Sequence, residues 1–147
     1  MTETNRVLLV ANRTAKTPAL REQVRKRAEA GPASFHLVVP RAPSGLHRVV
    51  DPEVAGVEAA RSRLDEVLKV LGEVAGDAPV TGEIGDADPM AAIQDAMNSR
   101  SFDEVVISTL PKRLSKWLHL DLPSKARGLG VPVTHIESMP ADESVAA

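Results

Sequence analysis

Five short aliphatic runs, each followed or preceded by a helix-forming segment, constrain what this 147-residue chain can fold into. The first run (VLLVA, 7–11) and the fourth (VVI, 105–107) are apolar without alternation, which is typical of strands covered on both faces. Strands that alternate with helices predict parallel pairing through right-handed crossovers. We therefore predict an α/β fold with a doubly wound, five-stranded parallel sheet. Its predicted order is 3-2-1-4-5, with helices on both faces.

The boundaries of these elements follow from turn formers and helix caps. Strands are predicted at 6–11, 34–40, 79–84, 104–108 and 131–136. Thr17 before Pro18 and Asp88 before Pro89 are typical of a helix N-cap followed by its first helical residue. The longest helix is predicted from 51–52 to about 72–76, and a shorter helical stretch covers 114–120. The third strand has polar neighbours, which is typical of a sheet edge.

Composition and charge exclude several classes of protein. A net charge of −2 gives no overall attraction to nucleic acid or to an anionic membrane. The absence of cysteine excludes disulfides and thiolate metal sites. No run approaches the ~20 apolar residues that a membrane helix needs, and because the start MTETNR is polar we expect no signal peptide there. We expect a single domain at 1–138, a disordered tail at 139–147 and a cytoplasmic location.

The predicted binding site lies at the start of the segment 104–130. Open parallel sheets bind ligands at the carboxyl ends of strands, where the strand order reverses. In the predicted order this happens between strands 1 and 4. The crevice should therefore open beside Ala11-Asn12 and Ser108-Thr109. The loop 41–50, rich in turn formers, is long enough to cover it.

A basic cluster follows the fourth strand and has two interpretations. It contains Lys112, Arg113, Lys116, Lys125 and Arg127 against the single carboxylate of Asp121. In one interpretation Arg113 and Lys116 bind an anion, and the hydroxyls of Ser108, Thr109 and Ser115 assist. In the other interpretation the cations form a solvated helical face.

Other candidate residues also have a structural alternative. Trp117 either stacks on a nucleobase or belongs to the core or to a dimer contact. Asn12 and Asp86, at strand ends, either bond a base or ribose or bond their own backbone. His119 and Asp121 are a weak metal pair without a third ligand. Because the sequence has no nucleophile elbow, Walker loop or His-Glu-x-x-His motif, we assign no catalytic residue and no metal.

Four segments connect this sequence to a known family. They are Ala11-Asn12 at the end of strand 1, GDADPMAAI at 85–93, LSKWL at 114–118 and VPV at 131–133. In these segments and in its element order the chain resembles the universal stress protein family. That family belongs to the larger group of adenine-nucleotide-binding, doubly wound domains, the adenine nucleotide alpha hydrolase-like superfamily.

The chain departs from the motif of the family's ATP-binding members. That motif follows strand 4 and reads Gly, two residues, Gly, nine residues, Gly, then Ser or Thr. Here no glycine lies between 104 and 127; Ser108 and Pro111 stand near the first two glycines, and Leu120-Asp121 where the Gly-Ser pair should be. Proline removes an amide donor, and a carboxylate at this place repels phosphate unless it caps a helix. The sequence therefore resembles a divergent member that lacks the glycine-rich ATP motif.

The resemblance implies a binding or sensing module of the stress response, without evident catalysis. Its expected ligand is an adenine nucleotide such as ATP or AMP, or a related anion. The expected site residues are Ala11, Asn12, Val39, Gly85, Asp86, Ser108, Thr109, Arg113, Ser115 and Lys116. The expected partner is a second copy of the chain, bound through the last helix and strand. One alternative is a dimeric regulatory protein with a vestigial crevice; another is phosphoanhydride hydrolysis, for which the sequence supplies no base or metal.

Overall fold

A computed structural model describes residues 4–12, 14–41 and 52–139, with the backbone alone at 52–60. The strands are β1 (Asn5–Val10), β2 (Ala33–Pro40), β3 (Val80–Gly85), β4 (Glu104–Thr109) and β5 (Val133–Glu137). The helices are α1 (Pro18–Ala30), α2 (Pro52–Ala75), α3 (Pro89–Ser99), α4 (Lys116–His119) and α5 (Leu122–Arg127). The predicted loop after Arg41 and the predicted tail after Met139 lie outside the described residues.

The five strands form one parallel sheet in the order β3-β2-β1-β4-β5, as predicted. Strand β1 lies at the centre, and its Leu9 is in register with Leu37 of β2 and Val106 of β4. β3 and β5 form the two edges. Because every strand runs in the same direction, the ends of β1 and β4 lie side by side where the order reverses.

Side-chain alternation divides the aliphatic residues between two cores, one on each face of the sheet. Val7 and Leu9 of β1 face the core formed by α1 and α2, with helix residues Leu20, Val24, Leu64, Val67 and Leu71. Leu8 and Val10 face the core of α3 and α5, with Ala92, Ile93, Ala96, Leu122 and Ala126. Both faces of the central strands are therefore covered, which is why their runs show no polar alternation.

Helix caps hold the first turns where the sequence predicts them. The Thr17 side chain accepts a hydrogen bond from the Leu20 amide at 3.5 Å, and Asp88 accepts one from the Met90 amide at 3.1 Å. Both helices begin with proline, whose missing N–H would be unpaired at this position in any case. None of the helices in the described ranges is long and apolar enough to cross a membrane.

Most predicted boundaries agree with the structure to within one residue, but two are wrong by two residues. The stretch predicted as helix at 114–120 begins as a turn, and α4 starts only at Lys116 because the Ser115 hydroxyl caps it through the Leu118 amide. The last strand begins at Val133 instead of 131, after a proline that has no amide to donate. Pro132 still accepts a bond from Val105, so the chain already lies beside β4 there.

Candidate functional site

A cleft of about 430 Å³ opens at the carboxyl ends of β1 and β4, where the topology places a ligand site. Its lining combines hydroxyls, an amide, two cations and three large apolar side chains. The lining residues are Asn12, Thr14, Arg63, Ser108, Thr109, Leu110, Leu114, Ser115, Lys116 and Trp117. Five of the ten predicted site residues are in this set.

A pair of buried hydroxyls, one from the loop after β1 and one from β4, lines the cleft. Thr14 Oγ1 and Ser108 Oγ lie 2.5 Å apart, and both side chains are almost fully buried. One proton is shared between the two oxygens, so the second hydroxyl proton remains available to a ligand. Thr14 was not predicted, because it lies four residues beyond the end of β1 in a segment read as a loop.

Thr109 lies beside this pair, but its hydroxyl proton is already used. Its Oγ1 donates to the Leu110 carbonyl at 2.8 Å and lies 2.8 Å from His135 Nε2. Because a hydroxyl has one proton, His135 Nε2 donates the second bond. Burial is the main effect on the pKa of His135 and lowers it. The negative charge of Glu137 raises this pKa and the positive charge of Arg127 lowers it, and the net result is a lowered pKa. His135 is therefore neutral near pH 7 and holds Thr109 in place.

Helix α4 and the turn before it form one wall of the cleft. The buried Ser115 hydroxyl accepts the Leu118 amide at 3.2 Å, which leaves its own proton free to donate. Lys116 follows at the first helical position, is exposed and lines the cleft. Trp117 lines the same wall and also packs against the core of α3 and α5. Trp117 therefore has the core role that the sequence left open, together with a face on the cleft.

Asn12 joins three elements at the mouth of the cleft. Its Nδ2 donates to the Pro40 carbonyl at the end of β2 at 2.8 Å. Its Oδ1 accepts from Arg63 Nη1 of α2 at 3.2 Å. The sequence does not identify Arg63, because this residue lies off the apolar stripe of a long amphipathic helix, where charged side chains normally face solvent. Its position next to the buried Leu64, at the edge of the apolar stripe, was the available signal.

The structure places the other predicted site residues elsewhere. Ala11 and Val39 are fully buried in the core of α1 and α2. Gly85 packs under α3, where a Cβ would lie 2.8 Å from both Ala92 Cβ and Val38 Cγ1. The Asp86 carboxylate accepts the amide of Asp88 at 2.8 Å, in an Asx-type turn before α3. Arg113 is exposed and is absent from the cleft lining.

The place of the missing third glycine has an unusual backbone. In the family's motif nine residues separate the second glycine from the third. With Pro111 in the place of the second glycine, Asp121 takes the place of the third, one residue later than Leu120. Asp121 has φ 58° and ψ 41°, and it is the sole non-glycine residue with positive φ within the described ranges. Its side chain makes no capping bond. The backbone thus keeps a conformation that glycine adopts freely, while the side chain adds a negative charge.

A second, larger groove of about 770 Å³ lies at the opposite end of the sheet, between the C-terminal ends of α1 and α2. Small residues such as Ala28, Ala33 and Ala78 line most of it, with two exposed carboxylates, Glu29 and Asp77. Its described residues form no hydroxyl network, and none of them is a predicted site residue. In the part of the chain with described side chains, no three histidine or carboxylate groups gather as a metal site.

No protein-family model and no curated protein sequence matches this chain. Among solved structures, a universal stress protein from Archaeoglobus fulgidus is 17% identical with a TM-score of 0.62, over 90% of this chain and 93% of its own. A universal stress protein in complex with cAMP is 14% identical with a TM-score of 0.59, over 92% and 99%. The Archaeoglobus fulgidus protein in complex with dAMP is 16% identical with a TM-score of 0.51, over 93% and 100%. The chain therefore has the fold of the universal stress proteins.

Proposed function

We propose that this protein is a binding module without evident catalysis, whose carboxyl-end cleft takes an adenine nucleotide or a related phosphate-bearing anion. One observation carries the proposal. Hydroxyl donors, two cations and an indole converge on a single cleft of about 430 Å³ at the reversal point of the sheet. A cleft of this size with few convergent polar groups is typical of a small-molecule site.

The donors that the cleft offers suit an anion. The Thr14–Ser108 pair has one proton to give, Ser115 has another, and Lys116 contributes an ammonium. Arg63 contributes a guanidinium from the opposite wall, held by Asn12. None of the described residues that line the cleft carries a carboxylate. Charged donors on two walls therefore replace the glycine amides that the sequence lacks, because such bonds are stronger than neutral ones.

The apolar wall suits the other end of a nucleotide. Leu110, Leu114 and Trp117 line the cleft beside the cations, and Leu114 is 47% exposed. An indole face is a good stacking partner for a base. Two solved proteins of the same fold are described in complex with cAMP and with dAMP, which supports an adenine nucleotide as the class to test first.

Trp117 provides the assay, because it is the only tryptophan of the chain. Titration with AMP, cAMP or ATP should change Trp117 fluorescence, and calorimetry should give the same dissociation constant. Lys116→Ala and Arg63→Ala should each weaken binding by about tenfold or more, since each removes a charge-assisted hydrogen bond. Arg113→Ala is the matched control: it removes an exposed cation that does not line the cleft and should leave the affinity within about twofold.

The proposal has a clear contrary result. If wild-type protein gives neither heat nor a fluorescence change with millimolar AMP, cAMP or ATP, the cleft does not bind adenine nucleotides. If Arg113→Ala weakens binding as much as Lys116→Ala, the anion lies on the exposed face instead of in the cleft. Mass spectrometry of small molecules released from the purified protein would identify a ligand of another class.

A second candidate function is a dimeric interaction module, and the outer edge of β5 favours it. β5 is an edge strand whose residues 133–136 are all half-exposed, and among the described residues no strand pairs with its outer backbone edge. Light scattering should then give a mass of twice 15.7 kDa. A monomer mass at the highest accessible concentration would exclude this face as a stable dimer contact. A cytoplasmic location and a role in the stress response stay predictions.

A further inference from the structure

The corner that follows β4 combines exposed leucines with cations that form no ion pair among the described residues. We call this surface the basic corner; it consists of Lys112, Arg113, Leu120, Lys125 and Arg127, with Leu114 and Lys116 at the border it shares with the cleft. In the described ranges three large apolar residues are exposed, and two of them are here: Leu114 at 47% and Leu120 at 54%. Apolar patches that are rimmed by polar or charged residues are typical of interaction surfaces.

The charges of the corner have no partners within the described structure. Lys112, Arg113, Lys125 and Arg127 are exposed, and none of them makes an ion pair there. The nearby Asp121 is the single carboxylate between 110 and 130. Elsewhere, by contrast, Arg25 pairs with two glutamates and Arg27 with Glu104.

The corner stands out against the charge of the whole protein. Five cations and one carboxylate give the segment 110–130 a formal charge of +4, whereas the chain carries −2. The remainder therefore carries −6. Such segregation attracts an anionic partner to one face and repels it from the others, which fixes the orientation of docking.

We propose that the basic corner docks an acidic peptide segment of a partner protein, with apolar side chains of that segment against Leu120 and Leu114. The short elements favour a peptide over a membrane surface: α4 has four residues and α5 six, so no continuous amphipathic helix lies along the corner. Nucleic acid is disfavoured because the corner offers no aromatic face of its own. Trp117, the nearest indole, is half-buried in the cleft wall and the core.

Hydrogen bonds and packing hold the residues of the basic corner together, so that one peptide could contact them at the same time. Lys112 and Arg113 lie in the turn closed by the bond from the Leu114 amide to Pro111. α4 follows directly, Leu120 is its C-cap, and α5 packs against α4. The Lys125 amide donates to the Asp121 carbonyl at 3.2 Å, which holds the first turn of α5 beside the end of α4.

The test is fluorescence anisotropy with a labelled peptide, EELDEILED, and wild-type protein at low salt. The variant Lys112→Glu/Arg113→Glu should weaken peptide binding at least tenfold, because it replaces charge attraction by repulsion. Leu120→Ser should weaken it several-fold, because it removes the apolar contact. None of these residues lines the cleft, so the result is independent of nucleotide binding. Circular dichroism should show that all variants remain folded, since the three side chains are exposed.

The matched control is Lys26→Glu/Arg100→Glu, which reverses one lysine and one arginine at exposed positions near the ends of α1 and α3. It changes the net charge by the same amount and should alter peptide affinity less than twofold. Equal loss in both double variants would overturn the proposal, because it would reveal attraction to net charge alone. Absence of micromolar peptide binding would overturn it too, as would binding to phosphatidylglycerol vesicles or duplex DNA that exceeds binding to the peptide.

Discussion

Gly85→Ala separates a packing role from a binding role for this glycine. Gly85 ends β3 at the carboxyl side of the sheet, where the sequence predicted contact with a ligand. In the structure an added Cβ would lie 2.8 Å from Ala92 Cβ and 2.8 Å from Val38 Cγ1. Carbon atoms in contact normally lie about 3.5–4.0 Å apart. We therefore expect the substitution to change stability and to leave ligand affinity unchanged.

The size of the effect follows from how the two neighbours are held. Ala92 Cβ is fixed to the backbone of α3, so it moves only if the helix shifts by several tenths of an ångström. Val38 is 1% exposed and β-branched, so its side chain has few alternative rotamers. Overpacking of this kind costs about 1–3 kcal/mol. For a chain of about 150 residues that corresponds to a melting temperature lower by about 2–12 °C.

Urea unfolding followed by circular dichroism measures the cost, and Gly72→Ala is the matched control. Gly72 lies inside α2, and an added Cβ there meets no atom within 4 Å. Because alanine is the better helix former, Gly72→Ala should stabilise the protein by about 0.5–1 kcal/mol. A Gly85→Ala variant as stable as wild type, or one that loses nucleotide affinity at full stability, would refute the packing argument.

Three further predictions concern the cleft and its surroundings. As pH falls below about 6.5, the unfolded chain protonates His135 before the folded chain does, because burial lowers the folded pKa. Wild type should therefore lose urea stability between pH 7.5 and 5.5, and His135→Gln should lose less. Thr14→Val should cost about 1–3 kcal/mol by leaving Ser108 without its partner, and Thr14→Val/Ser108→Ala should cost less than the two single changes together in the same assay. Asp121→Gly should raise the unfolding free energy by about 0.5–1 kcal/mol, because it relieves a left-handed backbone; destabilisation would contradict this.

The sheet was predictable because local signals agree with the global fold. Continuous aliphatic runs at β1 and β4 required cover on both faces, and the helix caps Thr17 and Asp88 fixed where the covering helices begin. The polar alternation of Val80–Gly85 indicated an edge strand, and the structure has it there. Parallel order then followed from strand–helix alternation, and it placed the reversal point between β1 and β4.

The cleft was less predictable, because its residues converge from distant segments. Topology alone identified Asn12, Ser108 and Thr109 as neighbours. Arg63 lies at the edge of the apolar stripe of α2. The rotation of this helix about its axis decides whether a residue at that edge faces solvent or the cleft. Periodicity gives that rotation only to within about one residue. Glycine and aspartate at a strand end can pack closely, close a turn or bind a ligand, and the sequence does not distinguish these roles. The structure shows close packing at Gly85 and a turn-closing hydrogen bond at Asp86.

The chemistry of the proposed site follows from replacing backbone donors by side-chain donors. Glycine amides are fixed in direction by the fold, so they bind phosphate without ordering any side chain. Lysine and arginine must be immobilised to bind, and this costs conformational entropy. Asn12 reduces that cost for Arg63 by holding its guanidinium at 3.2 Å, and the Ser115 cap fixes the turn that carries Lys116. An anion site built from side chains needs such contacts to hold its cations in place. The Asn12–Arg63 bond connects the cleft to α2, and the Ser115 cap connects it to α4.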